Sequence, residues 1–300
     1  MSSPAVSITQ STRKGRRELK NAIATACIVG SFVVALVPLT LIVVYVVRAG
    51  SRVFGLDFLT QDIPFSNRLP GGGMNAAIVG TLVITGTATA MAVPLGILGG
   101  TYLNEYGRKG VVARVVRFLA DVMTGVPSIV MGLFIYTIWV LPRKESGLSG
   151  FAGALALGCL MLPIVIRTTE EILKVVPEDL REGSYALGCR KAQTIRRVVM
   201  PHAAPGVISG ALLGVARVAG ETAPLLFTIG IVSMPNWNVF KGPNTALPQQ
   251  IYINASVFGG FDAAKDRAWG AALALIVIVF VFTALARIIT ALYARRSAAV

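Results

Sequence analysis

The sequence predicts an all-α membrane protein with six transmembrane helices and both termini in the cytoplasm. Of its 300 residues, 54% are apolar and only 14% charged, against about 25% charged in an ordinary soluble domain. The mean hydropathy is +0.70. Tracts with few or no charges recur along the chain at the roughly 20-residue length that crosses a bilayer core as a helix. The 28 Lys and Arg, set against 14 Asp and Glu, cluster between those tracts. A nucleic-acid-binding protein gathers its basic residues on one soluble surface. Here the apolar tracts separate them, so the net charge of +14 reads as membrane topology, with no nucleic-acid partner.

The elements follow in order. Residues 1–20 form a basic tail whose first part is rich in Ser and Thr. The first span, Asn21 to Val47, lies between Lys20 and Arg48 and is uncharged throughout. It is well beyond the apolar core of about 7 to 15 residues in a signal peptide, which marks it as a retained helix. A second span runs from about Asn75 to Leu103, a third from Val122 to Pro142 and a fourth from Ser146 to Ile166. The fifth runs from near Pro205 to about Gly230, interrupted by Arg217 and Glu221, and Ala268 to Ala286 begins the sixth. The transmembrane domain is thus 21–294, followed by a short tail, 295–300. Pro38, Pro94, Pro127 and Pro163 mark kinks, which membrane helices tolerate when neighbours satisfy the freed carbonyls. The segments Gly50 to Gly73 and Ser233 to Asp266 are too long for tight turns and are expected to carry short helices on the membrane surface.

Orientation follows from the basic residues, which stay on the cytoplasmic side. With the N-terminus inside, five precede the first span, four lie between spans two and three, seven between spans four and five, and three follow the sixth. The three opposite segments hold eight, and Arg217 alone lies within a span. Both termini are therefore cytoplasmic.

The chain lacks catalytic signatures. His202 has no second His or Cys at metal-ligand spacing, and Cys27, Cys159 and Cys189 form neither a disulfide framework nor a zinc pattern. His202, beside Pro201, reads as a structural residue at the membrane boundary. A phosphate-cradling P-loop needs Gly-Lys followed by Ser or Thr, and no Gly-Lys pair occurs. No cofactor and no enzymatic activity are expected on this chain, and ATP and Mg would belong to a separate polypeptide.

The segment Arg167 to Pro201 is the longest charged loop. Pro177 suits a helix start, Glu178 and Asp179 favour the positive end of its dipole, and Gly188 suits the residue just past its end. A helix over about 177–187 follows, then a basic helix from Arg190 to Met200 that ends before Pro201. Arg117 with Asp121, and Glu105 with Arg108, read as local pairs at span boundaries.

The run Glu182-Gly183-Ser184, then Gly188, Val198, Met200 and Pro201, resembles the EAA loop of ABC importer permeases. Glu182, Gly188 and Pro201 match that pattern by identity. The resemblance implies a type I ABC importer permease fold in which this loop (167–201) carries a coupling helix docking on an ATPase, with Glu182, Gly183, Ser184, Gly188 and Pro201 as the coupling residues. An unpartnered interfacial hairpin is the bland alternative, but it would present a broad apolar face.

In the fifth span Arg217 lies roughly 18 Å along a helix entered near Pro205, where insertion costs about 2.5 to 3.5 kcal/mol. Glu221 follows one turn on and can neutralise it, so the two are candidate substrate-pathway residues or a structural lock. Gly206, Gly210 and Gly214 permit close helix packing, and Gly210 and Gly214 complete the stripe that holds the pair. The run Ala216-Arg217-Val218-Ala219-Gly220-Glu221-Thr222-Ala223-Pro224-Leu225-Leu226-Phe227 is similar to the fifth helix of PstA-type permeases of bacterial phosphate importers. Thr124-Gly125-Val126-Pro127-Ser128 fits the same family. That resemblance implies inorganic phosphate as cargo and a bacterial plasma (inner) membrane location. It implies as partners a PstC-type permease, two copies of a PstB-type ATPase and an extracytoplasmic phosphate-binding protein. Three alternatives stay open at this point: another oxyanion such as sulfate or molybdate, a proton-coupled secondary transporter, and a membrane phosphate-signalling subunit.

Overall fold

The computed structural model describes residues 10–107 and 110–297, built from helices with no strand among them. Expectations for 1–9, Arg108, Lys109 and 298–300 lie outside the described residues. The chain divides into two units, 1–49 and 50–300. The first is essentially one helix, α1 (Gln10–Gly50), which runs through Pro38 without ending. Its described side chains from Arg17 to Tyr45 are all exposed, Phe32, Val34 and Leu41 among them. So apolar a surface requires lipid or another protein around it.

The second unit begins with α2 (Leu56–Thr60) and α3 (Asn75–Thr101), which continues as a π turn, Tyr102–Tyr106. Next come α4 (Val111–Gly125) and α5 (Ser128–Ile135), then α6 (Gly150–Val175), started by Ser149, whose hydroxyl accepts the Ala152 N–H. The charged loop forms α7 (Glu178–Ala186) and α8 (Lys191–Thr194). A π turn, Ile195–Val199, leads into α9 (Met200–Ala219). The rest is α10 (Leu225–Thr228), α11 (Leu247–Tyr252) with a π turn to Val257, and α12 (Asp262–Ser297).

Helix α6 is the centre, packed between α3 and α9, because both neighbours offer glycine faces. A Cβ added at Gly96 or Gly100 of α3 would fall 2.6 Å from Val165 or Thr169 of α6. On α9, Gly206 faces Ile172, Gly210 faces Thr168 and Gly214 faces Val165 and Met161. The absence of side chains lets these backbones approach closely. Ile84 and Ala88 of α3, Leu157 and Met161 of α6, and Val215 and Val218 of α9 fill the common core. Threonines inside α3 return their hydroxyl protons to the preceding turn, as Thr85 accepts from Thr89 through its carbonyl at 2.7 Å, so no polar group is stranded.

Among the described residues five helices are long and apolar enough to cross a membrane, and α4 with the helical run Ser128–Lys144 that α5 begins makes a sixth only as a pair bent by 107°. The third span, expected as Val122–Pro142 with a kink at Pro127, is therefore broken at that proline into two helices rather than merely kinked. Pro127 has no N–H to continue α4 and holds Val126 in an extended conformation (φ −71°, ψ 129°). The fifth span is also shorter than expected. Helix α9 stops at Ala219, because a helix continued to Pro224 would drive the proline ring against the carbonyl of Gly220, four residues back.

Pro201, in contrast, does not end the basic helix. Helices α8 and α9 form one run, Lys191–Ala219, joined by a π turn in which the Met200 N–H reaches the Ile195 carbonyl. The wider turn accommodates a proline in the first turn of α9. The distal segment differs as well: Leu247, Gln249, Gln250 and Asn254 are buried, so α11 enters the bundle against α3 and α12 instead of lying on a membrane surface. Gln250 Nε2 donates to Thr245 Oγ1, and Asn254 Nδ2 donates to Gln250, so the donors of these buried amides are used, while Asn254 Oδ1 is buried with no hydrogen-bond partner.

Candidate functional site

Two regions hold the residues singled out from the sequence: the loop built around α7, and the end of α9. Pro177 caps α7, Glu178 and Asp179 occupy its first turn, and Gly188 follows its end at φ +80°. A side chain at Gly188 would meet no atom within 4 Å, so glycine is required there by the left-handed backbone alone. Glu182, Gly183 and Gly188 are exposed, and Leu187, 86% exposed, stands beside them with Tyr185. Ser184 is different: it is buried and shares a 2.9 Å hydrogen bond with Thr194, so it joins α7 to α8 and is absent from the exposed face. Pro201 is exposed in the first turn of α9, away from α7 in sequence and element.

Beneath α7 lies an ion lattice that sequence reasoning missed. Glu170 of α6 is fully buried and accepts Arg117 Nε at 2.7 Å, Lys174 Nζ at 3.1 Å and Arg167 Nη1 at 3.3 Å. Arg117 also donates to the Leu103 carbonyl, and Arg167 pairs with Asp121. Arg181 of α7 pairs with Glu105 in the π turn after α3 at 2.9 Å, both side chains 3% exposed. A cavity of about 290 Å³ opens between Arg117, Glu170, Lys174, Glu178 and Arg181, which leaves the rim of the lattice hydrated. The local pair of Arg117 with Asp121 read from the sequence is thus corrected, and that of Glu105 with Arg108 lies outside the described residues. Arg117 reaches Glu170 rather than Asp121, and Glu105 binds Arg181. Packing of α4 on α6 brings Glu170, 53 residues on in sequence, within reach of Arg117. The available signal was the cluster of charges where the second, third and fourth spans end together.

At the end of α9, Arg217 and Glu221 do not form the expected pair. Among the described residues no ion pair joins them. Glu221 lies beyond the helix end and is half-buried, whereas Arg217 is exposed in the last turn. The helical period explains the turn away from the core: Val218 follows Gly214 on the buried face, leaving Arg217 on the open flank with Leu213 and Ser209. A cation in the last turn also suits the negative end of the helix dipole.

An exposed loop helix tied by buried ions to apolar helices long enough to cross a bilayer is the architecture of a multi-span membrane protein. Residues 92–298 match the family described as "Binding-protein-dependent transport system inner membrane component". Among named proteins, the chain is 44% identical over 285 residues to "Phosphate transport system permease protein PstA 1" of Mycobacterium tuberculosis, covering 94% of this chain and 91% of that protein. It is 46% identical over 270 residues to the PstA of Mycobacterium leprae (88% and 86% covered) and 40% identical over 250 residues to that of Haemophilus influenzae (83% and 86% covered). The chain belongs to the PstA family of phosphate transport system permeases. Its fold is shared with a chain of a bacterial alginate ABC transporter (TM-score 0.61, 15% identity, 93% of this chain and 98% of that one covered). It is shared also with a chain of the inward-facing MetNI methionine transporter (TM-score 0.55, 20% identity, 74% and 94% covered).

The Gly188 backbone gives one direct expectation. Gly188→Val places a β-branched residue at φ +80°, at a cost of about 1 to 2 kcal/mol. Because nothing surrounds the site, the loss should fall on the shape of α7 and not on the core. Copurification of an ATPase with the purified chain is expected to drop sharply while thermal unfolding of the bundle changes little; retention at the normal yield would count against docking through α7.

Proposed function

We propose that this chain is one of two membrane-spanning permeases of an ATP-driven importer that carries inorganic phosphate into a bacterial cell across its inner membrane. The observation that carries the reading is α7: an exposed face of Glu182, Gly183, Tyr185 and Leu187, held from beneath by buried charge on Arg181. A small residue at 183 lets a partner backbone approach, and Leu187 offers an apolar anchor. The partners in this reading are a PstC-type permease, two PstB-type ATPases that bind ATP and Mg, and an extracytoplasmic phosphate-binding protein. The excess of basic residues around α7 supports a cytoplasmic position for that loop and for both termini.

In this reading ATP binding closes the ATPase pair and displaces α7, and the spans rock between inward-open and outward-open states. Arg217, on the open flank of α9, presents a guanidinium to the passing anion, and Glu221, four residues on in sequence, is the second pathway residue of this reading. Glu182 and its neighbours take part in docking only. The test is uptake of radiolabelled phosphate and sulfate in cells with and without the chain. Loss of phosphate uptake alone on deletion is expected; equal loss of sulfate uptake, or loss of neither, would overturn phosphate as the cargo.

A further inference from the structure

The exposed face of α7 explains docking but leaves open which span receives the push. Arg181 precedes Glu182 in sequence yet is 3% exposed. Its Nη2 donates to Glu105 Oε1 at 2.9 Å and to the Leu173 carbonyl at 3.0 Å, and its Nη1 donates to the Val176 carbonyl at 2.8 Å and to Glu178 at 3.2 Å. One guanidinium therefore fastens α7 to the terminal carbonyls of α6 and to the π turn that prolongs α3. Glu105 is itself held, its Oε1 accepting Asn104 Nδ2 at 2.8 Å. The connection from α7 to α9 is of another kind. Among the described side-chain contacts it has one neutral hydrogen bond, Ser184 to Thr194, beside packing of α7 on the π turn Ile195–Val199 and a linker that turns at Gly188.

Charge-assisted bonds between buried groups are shorter and about twice as strong as neutral ones, so α7 is held more firmly to α3 and α6 than to α9. Helix α3 is fastened at its far end too. Thr81 Oγ1 accepts the Leu247 N–H at 2.8 Å, both residues buried, and Gly80 packs directly on the Thr245 carbonyl. At 27 residues and 1.5 Å per residue, α3 is a rod of roughly 40 Å bonded to the docking helix at one end and to the segment leading into α11 at the other.

We propose that Arg181 and Glu105 are positioning residues that transmit displacement of α7 into α3, and through Thr81 to the start of α11, so that the distal end of the pathway responds to the ATPase without relay through α9. The proposal rests on the reading of α7 as the docking element. Neither residue touches the cargo or the ATPase; both act through the position of α3.

The experiment uses the complete importer in proteoliposomes and reads ATP hydrolysed per phosphate imported. The wild-type complex is scored first: failure to retain the ATPase or to import phosphate defeats the functional reading, and the link with it. With wild-type activity in hand, Glu105→Gln, which keeps the volume and one acceptor, is expected to raise the ratio about fivefold while ATPase copurification and the KM for the loaded binding protein stay unchanged. Glu105→Gln combined with Arg181→Gln should be no worse than the more severe single variant, because both break one link. An unchanged ratio in Glu105→Gln, or a double variant whose defect is the product of the two single defects, would overturn the proposal. Should Arg181→Gln not assemble, Glu105→Gln alone decides. Failure of that variant to assemble would make the pair a folding lock and overturn the proposal as well.

Discussion

Arg217→Gln is expected to abolish most phosphate uptake while the complex still assembles. Arg217 is exposed on α9 and makes no ion pair with Glu221, so its removal strands no buried partner and should leave packing intact. Val215 and Val218, which flank it, carry the contact with the core. What is lost is one charge-assisted contact to a passing anion, worth about 1.5 to 3 kcal/mol, or about ten- to a hundredfold in rate. Arg217→Lys should recover part of the uptake, since it keeps the charge but not the planar fork. The measurement is phosphate uptake alongside the yield of intact complex. Normal uptake in Arg217→Gln would remove this residue from the pathway, and a lost complex would make it a helix lock.

Glu170→Ala should give the largest loss of stability. The carboxylate is fully buried and serves three cations, and breaking a buried ion pair by deleting one partner costs about 3 to 5 kcal/mol. Here the cations retain some water, with side-chain exposures of 25% for Arg117, 27% for Arg167 and 55% for Lys174. The expected cost therefore falls below that range, at about 2 to 3 kcal/mol. That is still a large share of a total stability of about 5 to 15 kcal/mol. Thermal unfolding of the detergent-purified chain should show a clearly lowered midpoint, with Glu170→Gln falling between it and wild type because an amide still accepts one cation. A midpoint equal to that of wild type in Glu170→Ala would show that the lattice does not hold α4 to α6.

Features set by local chemistry were legible in the sequence. The second span begins at Asn75 as expected, and Gly188 closes α7 with a positive φ because only glycine takes that conformation without strain. The glycine stripe at 206, 210 and 214 turns toward another helix, α6. Features that depend on which helix lies beside which were not legible. Spacing of four residues identifies partners on one helix, so Asp121 was the natural mate for Arg117, but the actual one, Glu170, is 53 residues away and comes within reach only because α4 packs on α6. The same holds for Glu105 and Arg181, 76 residues apart. Hydropathy likewise registers apolar length but not direction. It joined α4 to α5 across a 107° bend and carried α9 past Gly220, although the prolines at 127 and 224 were visible.

The most direct test of the account is ATP-driven phosphate import by proteoliposomes containing this chain, a PstC-type permease and a PstB-type ATPase, with the phosphate-binding protein supplied outside. The account predicts accumulation of labelled phosphate that requires ATP, this chain and the binding protein together, and that excess sulfate does not suppress. Accumulation that proceeds without ATP on a proton gradient alone, or that is unchanged when this chain is omitted, would contradict it.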